Sequence, residues 1–98
     1  MKEFRTLNMA IAQYHEIKKL TFKGEIKDQI QRAALSVCLN LSEGNAKAKT
    51  LDRKRFFNIA YASQKEVFTI LLIENTQSLY QKADHLSASI FKLYQHAK

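Results

Sequence analysis

Residues 36–66 of this chain, SVCLNLSEGNAKAKTLDRKRFFNIAYASQKE, decide its fold. An apolar pattern with helical spacing runs up to Glu43 and Gly44, and a second, longer one begins at Phe56. Between them lies a basic connection, residues 47–55, which we call the elbow. The stretch therefore predicts a helix, a basic elbow and a second helix. The elbow is also the feature that points to a partner, because its charge favours a polyanion.

The composition restricts the fold class to one rich in helices. The 98 residues include no Pro and only 2 Gly, while 46% of them are hydrophobic. A β-rich domain needs turn-forming residues every few positions, so their scarcity predicts few turns and long helices. We expect one all-α domain over residues 1–98. A chain this short leaves apolar surface uncovered, so association between copies is also expected.

Apolar residues three or four positions apart predict four amphipathic helices. The predicted helices span residues 3–20, 25–43, 51–80 and 84–97. The breaks between them are expected at residues 21–24, 44–50 and 81–83. Gly24 suits a residue with positive φ after the first helix, and Gly44 suits the residue that follows the second. Thr50 and Asp84 are expected to be the N-caps of the last two helices. Short connections between four helices predict an antiparallel up-down-up-down bundle.

The third predicted helix carries two apolar stripes, so we expect it to be covered on two sides. Because no Gly or Pro marks its end, it should finish somewhere between residues 76 and 82. One stripe should face the rest of the bundle. The other is a candidate interface with further copies of the chain, which would assemble into a ring-like homo-oligomer. This second stripe consists of Phe57, Tyr61, Phe68 and Leu72.

The chain is strongly basic, with 16 Lys+Arg against 9 Asp+Glu and a net charge of +7. This balance favours nucleic acid or another anionic surface as the partner, although solvated surface charge is the simpler alternative. Cations this close in sequence can contact consecutive phosphates, and the start of a helix adds free N–H groups. The candidate nucleic-acid-binding residues are Lys47, Lys49, Arg53, Lys54 and Arg55. A secondary basic cluster, expected at the other end of the bundle, consists of Lys18, Lys19, Lys23 and Lys27.

The sequence lacks the arrangements that catalysis or metal binding would need. A single cysteine, Cys38, excludes an internal disulfide and a cysteine-based zinc site, and it is interpreted as a small buried hydrophobe. His15, His85 and His96 lack the i, i+4 spacing of a helical metal site. We therefore expect no enzymatic activity, no cofactor and no metal. Four tyrosines in apolar positions are expected to pack on the core rather than stack on bases: Tyr14, Tyr61, Tyr80 and Tyr94.

No segment of the sequence has the length and apolar character of a membrane span. Uninterrupted apolar runs, such as residues 70–73, fall far below the roughly 20 residues that a membrane-spanning helix needs. The chain also does not open with a charged segment followed by an apolar one, as a secretory signal would. We expect a cytoplasmic protein without a membrane partner, and the single cysteine fits a reducing compartment.

Several short segments between the second and third predicted helices carry a family resemblance. They are residues 29–34 (QIQRAA), 36–37 (SV) and 40–44 (NLSEG), then 55–57 (RFF), 59–60 (IA), Ser63 and Glu66. Over roughly residues 25–75 the chain resembles the small four-helix-bundle proteins encoded by intervening sequences in bacterial large-subunit ribosomal RNA genes. The same superfamily includes the accessory variability determinant of diversity-generating retroelements. One departure is Cys38, where the family usually has a Pro, so the second helix is expected to be straighter here.

The resemblance implies a homopentamer of four-helix bundles with a basic surface, and no enzymatic activity. For the retroelement branch it also implies binding to nucleic acid and to a reverse transcriptase. The leading hypothesis is a non-enzymatic oligomer that binds RNA or DNA through phosphates, largely without sequence specificity. The alternative is a structural or adaptor oligomer that recruits a protein partner such as a reverse transcriptase.

Overall fold

The computed structural model describes residues 5–97, and these form an all-α structure without a β-strand. Its elements are α1 (Arg5–Lys19), α2 (Gly24–Ala46), α3 (Thr50–Ile73), a short 3-10 turn (Gln77–Leu79) and α4 (Tyr80–His96). The prediction of four helices is confirmed. The predicted start of the first helix at residues 3 and 4 lies outside the described residues.

The four helices pack around one apolar core as a four-helix bundle. Each helix contacts the next one along the chain, and α4 also contacts α1. Of these four contacts, the α2–α3 contact is the most extensive and the α1–α4 contact the least. Among the largest side chains that are fully buried are Ile17 of α1, Ile30 of α2, Leu71 of α3 and Ile90 of α4. Every helix therefore contributes an apolar face to the same core.

Gly44 allows α2 and α3 to approach closely. The residue is buried inside α2, which continues to Ala46, so the prediction that Gly44 follows the helix is wrong. A Cβ atom at Gly44 would lie 2.6 Å from Cε1 and 2.7 Å from Cδ1 of Phe57. The absent side chain lets the Phe57 ring lie against the α2 backbone, where only 2% of Phe57 is exposed. The glycine is needed for this contact and not for a left-handed turn.

The elbow turns the chain from α2 into α3 with only residues 47–49 between the helices. Lys47 and Lys49 both have extended backbones, with φ/ψ of −82°/140° and −84°/137°. The Lys47 N–H donates a hydrogen bond to the Gly44 carbonyl at 3.3 Å. Lys49 occupies the N-cap position of α3 and makes no side-chain cap bond. Thr50 is the first helical residue, so the prediction that it caps α3 is wrong.

α3 ends at Ile73, before the predicted interval of residues 76–82. Asn75 adopts a positive φ of 55°. Its N–H donates to the Leu72 carbonyl at 3.1 Å, and the Thr76 N–H donates to the Leu71 carbonyl at 2.9 Å. This pair of bonds is a Schellman motif, in which Asn takes the left-handed position that Gly usually occupies. Asn tolerates that backbone better than other non-glycine residues, which is why the helix stops here.

Other helix boundaries agree with the sequence only in part. Gly24 has the expected positive φ, 53°, but it is the first residue of α2. α4 begins at Tyr80, which places Asp84 inside the helix, so the prediction that Asp84 is an N-cap is wrong. α2 runs without interruption past Cys38.

Two hydrogen-bonded amide side chains, a half-buried Gln13 and a buried Gln64, connect helices of the bundle. Gln64 of α3 is 0% exposed. Its Nε2 donates to Gln13 Oε1 at 2.8 Å and to the Ala83 carbonyl at 3.1 Å, and Gln13 Nε2 donates to Gln64 Oε1 at 2.7 Å. These bonds connect α1, α3 and α4 and give every polar group of Gln64 a partner. Buried polar groups without partners are costly, so the pair restricts how these three helices can slide along one another.

We predict that Gly44→Ala lowers the free energy of unfolding by about 1 kcal/mol, because the methyl group must displace the buried ring of Phe57. The loss should occur although Ala is the better helix former by about 1 kcal/mol. Urea unfolding followed by circular dichroism measures the change. Combining Gly44→Ala with Phe57→Leu, which shortens the opposing side chain, should cost less than the sum of the two single variants. A stabilised Gly44→Ala protein would contradict the close contact.

We also predict that Gln13→Leu destabilises the protein by about 1–3 kcal/mol, because Gln64 Oε1 is then buried without a donor. Replacing both Gln13 and Gln64 by Leu removes the unpaired group and should restore most of the loss. The double-variant cycle is measured by urea unfolding of all four proteins. If the two single effects simply add, the amide pair is not coupled.

Candidate nucleic-acid interface

The cations of the elbow point in different directions. Arg53, Lys54 and Arg55 follow one another at the start of α3, and consecutive residues of a helix are about 100° apart around its axis. Arg53 is half-buried against α2, Lys54 is half-buried against α4, and Arg55 is exposed. The three residues that form one basic run in the sequence therefore do not form one flat patch.

Arg53 packs against the inner side of the elbow, beside Phe57 and the Lys47 carbonyl. Its Nη1 lies 3.5 Å from the Lys47 carbonyl oxygen, and its guanidinium carbon lies 5.7 Å from the centre of the Phe57 ring. Its Nε is buried and has no hydrogen-bond acceptor within residues 5–97. The guanidinium thus lies at the carboxyl end of α2, where the helix dipole favours a positive charge. Arg53 supports the connection and offers less of its charge to a partner than Arg55 does.

Two cations lie beside the ring of Phe56. Lys47 Nζ is 5.3 Å and the Arg55 guanidinium carbon is 5.1 Å from its centre, within the range of cation–π contacts. Lys47 also forms an ion pair with Glu43 at 3.5 Å. Both partners of this pair are at least 40% exposed, so it adds little stability, but it offsets the charge of Lys47 locally. Lys49 and Arg55 are exposed and are the elbow cations most open to a partner.

The secondary basic cluster lies at the connection between α1 and α2. Its four lysines, Lys18, Lys19, Lys23 and Lys27, are all exposed. Lys18 Nζ lies 5.3 Å from the centre of the Tyr14 ring. The 23 residues of α2 place this connection about 34 Å from the elbow. The two basic clusters are therefore separate surfaces.

The residues of the predicted oligomer interface do not form one exposed stripe. Phe57 is 2% exposed and lies inside the core of its own chain. Tyr61 and Phe68 are half-buried, because they pack against α4 through rings whose centres are 5.5 Å and 5.9 Å away. Leu72, 51% exposed, is the member that remains on the surface. The prediction that Phe57 lies on this interface is corrected, because the ring packs against Gly44 of α2. An interface formed by Tyr61, Phe68 and Leu72 stays a prediction.

Several apolar side chains outside the predicted interface stripe are exposed. Leu35 and Leu39 lie one turn apart on α2 and are 42% and 57% exposed. The remaining large apolar residues with substantial exposure among residues 5–97 are Ile11, Leu51, Ile59, Leu72, Ile73 and Phe91. The helical pattern did not single out Leu35 and Leu39, because they lie outside the stripe that forms the core face of α2. They are the better candidates for a surface that contacts another molecule.

Aromatic rings line the contact between α3 and α4. The four tyrosines are half-buried and pack on the edge of the core, as their apolar positions predict. Phe91 is the exception among these rings, since it is 41% exposed. It lies between Tyr61 and Tyr94, with ring centres 5.5 Å and 6.3 Å away. Sequence reasoning missed Phe91, although its spacing of three residues from Tyr94 on one helix was available as a signal.

Cys38 is buried, as expected, and burial raises the pKa of its thiol above the usual value, with a backbone hydrogen bond opposing this shift in part. The thiol therefore stays protonated to higher pH than an exposed cysteine does.

Within residues 5–97, no group of three or more His, Cys, Asp or Glu is placed to bind a metal ion. None of the helices in that range is both long and apolar enough to cross a membrane.

A family model described as 23S rRNA-intervening sequence protein matches residues 2–89 of the chain. The chain belongs to this family. The match reaches beyond the segments that carried the resemblance and includes α1 and half of α4. No curated protein and no solved structure matches the chain.

We predict that Arg53 and Arg55 differ in their contribution to stability. Arg53→Ala should lower the free energy of unfolding by about 1 kcal/mol, because the side chain covers Phe57 and reaches the end of α2. Arg55→Ala removes the same charge from an exposed position and should change stability by no more than about 0.5 kcal/mol. Urea unfolding of the two variants makes the comparison. Equal effects would show that Arg53 has no structural role.

Proposed function

We propose that this protein is a non-enzymatic accessory protein that binds RNA or DNA through phosphates at the elbow. The observation that carries the proposal is the exposed pair Lys49 and Arg55, which flanks the start of α3. No side chain caps that helix end, so its first N–H groups and its positive dipole end are open to an anion. The net charge of +7 adds a long-range attraction for a polyanion.

Binding at the elbow is expected to be largely independent of sequence. Phosphate contacts fix the position of a protein on nucleic acid, whereas contacts with base edges specify sequence. The elbow presents cations and backbone N–H groups on a short connection between helices. It does not present a helix face with several side chains that read base edges in a groove.

We further propose an up-down arrangement of the helices within an oligomer of several copies. The arrangement is supported by contacts that pair later residues of α3 with earlier residues of α2. Gly44 meets Phe57, while the hydroxyls of Ser36 and Ser63 are 2.8 Å apart. Leu35 and Leu39 supply an exposed apolar surface for association. A pentameric ring, as the family resemblance implies, would repeat the elbow and strengthen binding to long strands through avidity.

The alternative function is an adaptor that recruits a protein partner, such as a reverse transcriptase, through this apolar surface. Exposure of Leu35 and Leu39 favours it, because apolar patches on a folded protein often mark contacts. The adaptor function does not require the exposed cations of the elbow. Charge variants therefore separate the two functions.

We predict that replacing Lys49 and Arg55 together by Gln weakens binding to many RNA and DNA sequences by similar factors. The slope of log K against log salt should also decrease by about 0.7–0.9 for each phosphate that the variant no longer neutralises. Fluorescence anisotropy with labelled oligonucleotides at several salt concentrations measures both effects. Arg53 is left unchanged because it packs on Phe57, so weaker binding is not confused with lower stability.

The matched control replaces Lys18 and Lys19 by Gln, which removes two positive charges at the distant cluster. If binding depends on the elbow, the control keeps most of its affinity. Equal losses in both variants would mean that only total charge matters. Full affinity of the Lys49 and Arg55 variant at low salt would reject the elbow as the site and favour the adaptor function.

A further inference from the structure

Three aromatic rings form a row along the surface where α3 meets α4, and we call Tyr61, Phe91 and Tyr94 the aromatic strip. Phe91 lies in the middle, with ring centres 5.5 Å from Tyr61 and 6.3 Å from Tyr94. The rings of Phe91 and Tyr94 are inclined by only 25°. Phe91 is 41% exposed, whereas the tyrosines at its sides are half-buried. The strip therefore consists of one exposed ring between two half-buried rings.

A lysine stands at each end of the aromatic strip. Lys54 Nζ lies 5.6 Å from the centre of the Tyr94 ring, and Lys65 Nζ lies 5.3 Å from that of Tyr61. The two lysines are about three turns apart on α3, or about 16 Å. Among residues 5–97 the one ion pair is that of Lys47 with Glu43, so neither lysine is neutralised by a carboxylate within 4.0 Å. The strip thus combines exposed aromatic surface with unpaired positive charge.

We propose that the aromatic strip binds single-stranded nucleic acid, with a base stacked on Phe91 and phosphates held by Lys54 and Lys65. This proposal rests on the proposed function and names the form of nucleic acid that the surface takes. Stacking on aromatic side chains requires an unpaired base with an accessible face, which a continuous duplex does not offer. At the spacing of about 3.4 Å per nucleotide in a stacked strand, the distance between the lysines corresponds to about five nucleotides.

The charges favour a nucleic acid over a second copy of the chain as the occupant. A second copy of the chain carries the same net charge of +7, so electrostatic repulsion opposes its approach to a surface with two lysines. A polyanion places negative charge against both lysines and so complements the surface. Lys54 also belongs to the elbow, so the aromatic strip adjoins the elbow at this residue, while Arg55 lies on another side of α3.

The test compares a pyrimidine strand of about 20 nucleotides with a blunt-ended duplex of about 10 base pairs, which has a similar total charge, both fluorescently labelled. Phe91→Ala should weaken binding of the single strand by about 5- to 150-fold, the range found when one base can no longer stack. Duplex affinity should change by less than about twofold, because the elbow cations remain. The salt dependence should be unchanged, since every cation that neutralises a phosphate is still present.

Two matched variants complete the design. Phe91→Tyr keeps the ring and should retain single-strand affinity. Ile11→Ala removes an apolar side chain of similar exposure from α1 and should have no effect. Circular dichroism and sedimentation of each variant report its folding and mass. A Phe91→Ala protein with altered mass would show that the aromatic strip is an interface between copies, which overturns the proposal.

The remaining outcomes separate this proposal from the proposed function. If Phe91→Ala binds the single strand as the parent does, while the Lys49 and Arg55 variant weakens both ligands, the aromatic strip is rejected and the elbow stands. If the parent protein binds neither ligand at low salt, both proposals fail. Selective loss of single-strand binding in Phe91→Ala, with rescue in Phe91→Tyr, supports the aromatic strip.

Discussion

The contact between the Gly44 backbone and the Phe57 ring determines how α2 and α3 meet. It requires that a buried position near the end of α2 carry no side chain, because a Cβ atom would lie 2.6 Å from the ring. Once the ring is in place, a connection of three residues is enough to join the helices. The same ring lies beneath the guanidinium of Arg53, which reaches the Lys47 carbonyl at the other side of the elbow. One steric constraint therefore shapes the whole basic connection.

The hydrogen-bonded amides of Gln13 and Gln64 restrict how far α1, α3 and α4 can slide along one another. Gln64 bonds to Gln13 of α1 and to the Ala83 carbonyl of α4, so a shift of any of the three helices would leave a buried polar atom without a partner. Apolar packing tolerates small displacements better than a fully satisfied polar network does. The position of α4 along α3 then brings Phe91 beside Tyr61 and Tyr94 beside Lys54.

The basic residues of this chain combine structural and surface roles. Four elbow cations, Lys47, Arg53, Lys54 and Arg55, lie within 6 Å of an aromatic ring centre. All of these except Arg55 are half-buried, so their aliphatic stems cover apolar surface. Such a cation keeps part of its charge accessible while it stabilises the helix contact beneath it. Counting positive charges in the sequence therefore overstates the number that are free to bind phosphate. Lys49 and Arg55 are the elbow cations with the greatest exposure, and the functional hypothesis depends mainly on them.

Local features of the sequence were sufficient to predict the four helices and the basic connection between α2 and α3. Helical periodicity and the scarcity of Gly and Pro predicted four helices, because these features act on the chain within a few residues. Even the early end of α3 had a local signal in Asn75, whose side chain tolerates a positive φ.

Tertiary structure decided what covers each apolar face. Periodicity shows that a face of α3 is apolar, but the same pattern fits packing against α4 or against another copy, and packing alone placed Phe57 inside the chain. A glycine after an apolar run likewise fits a helix end or a close helix contact, and only the approach of the Phe57 ring distinguishes them for Gly44. Which of Arg53, Lys54 and Arg55 packs against another helix depends on neighbours that are distant in sequence. The sequence therefore did not show which of these cations are half-buried and which is exposed.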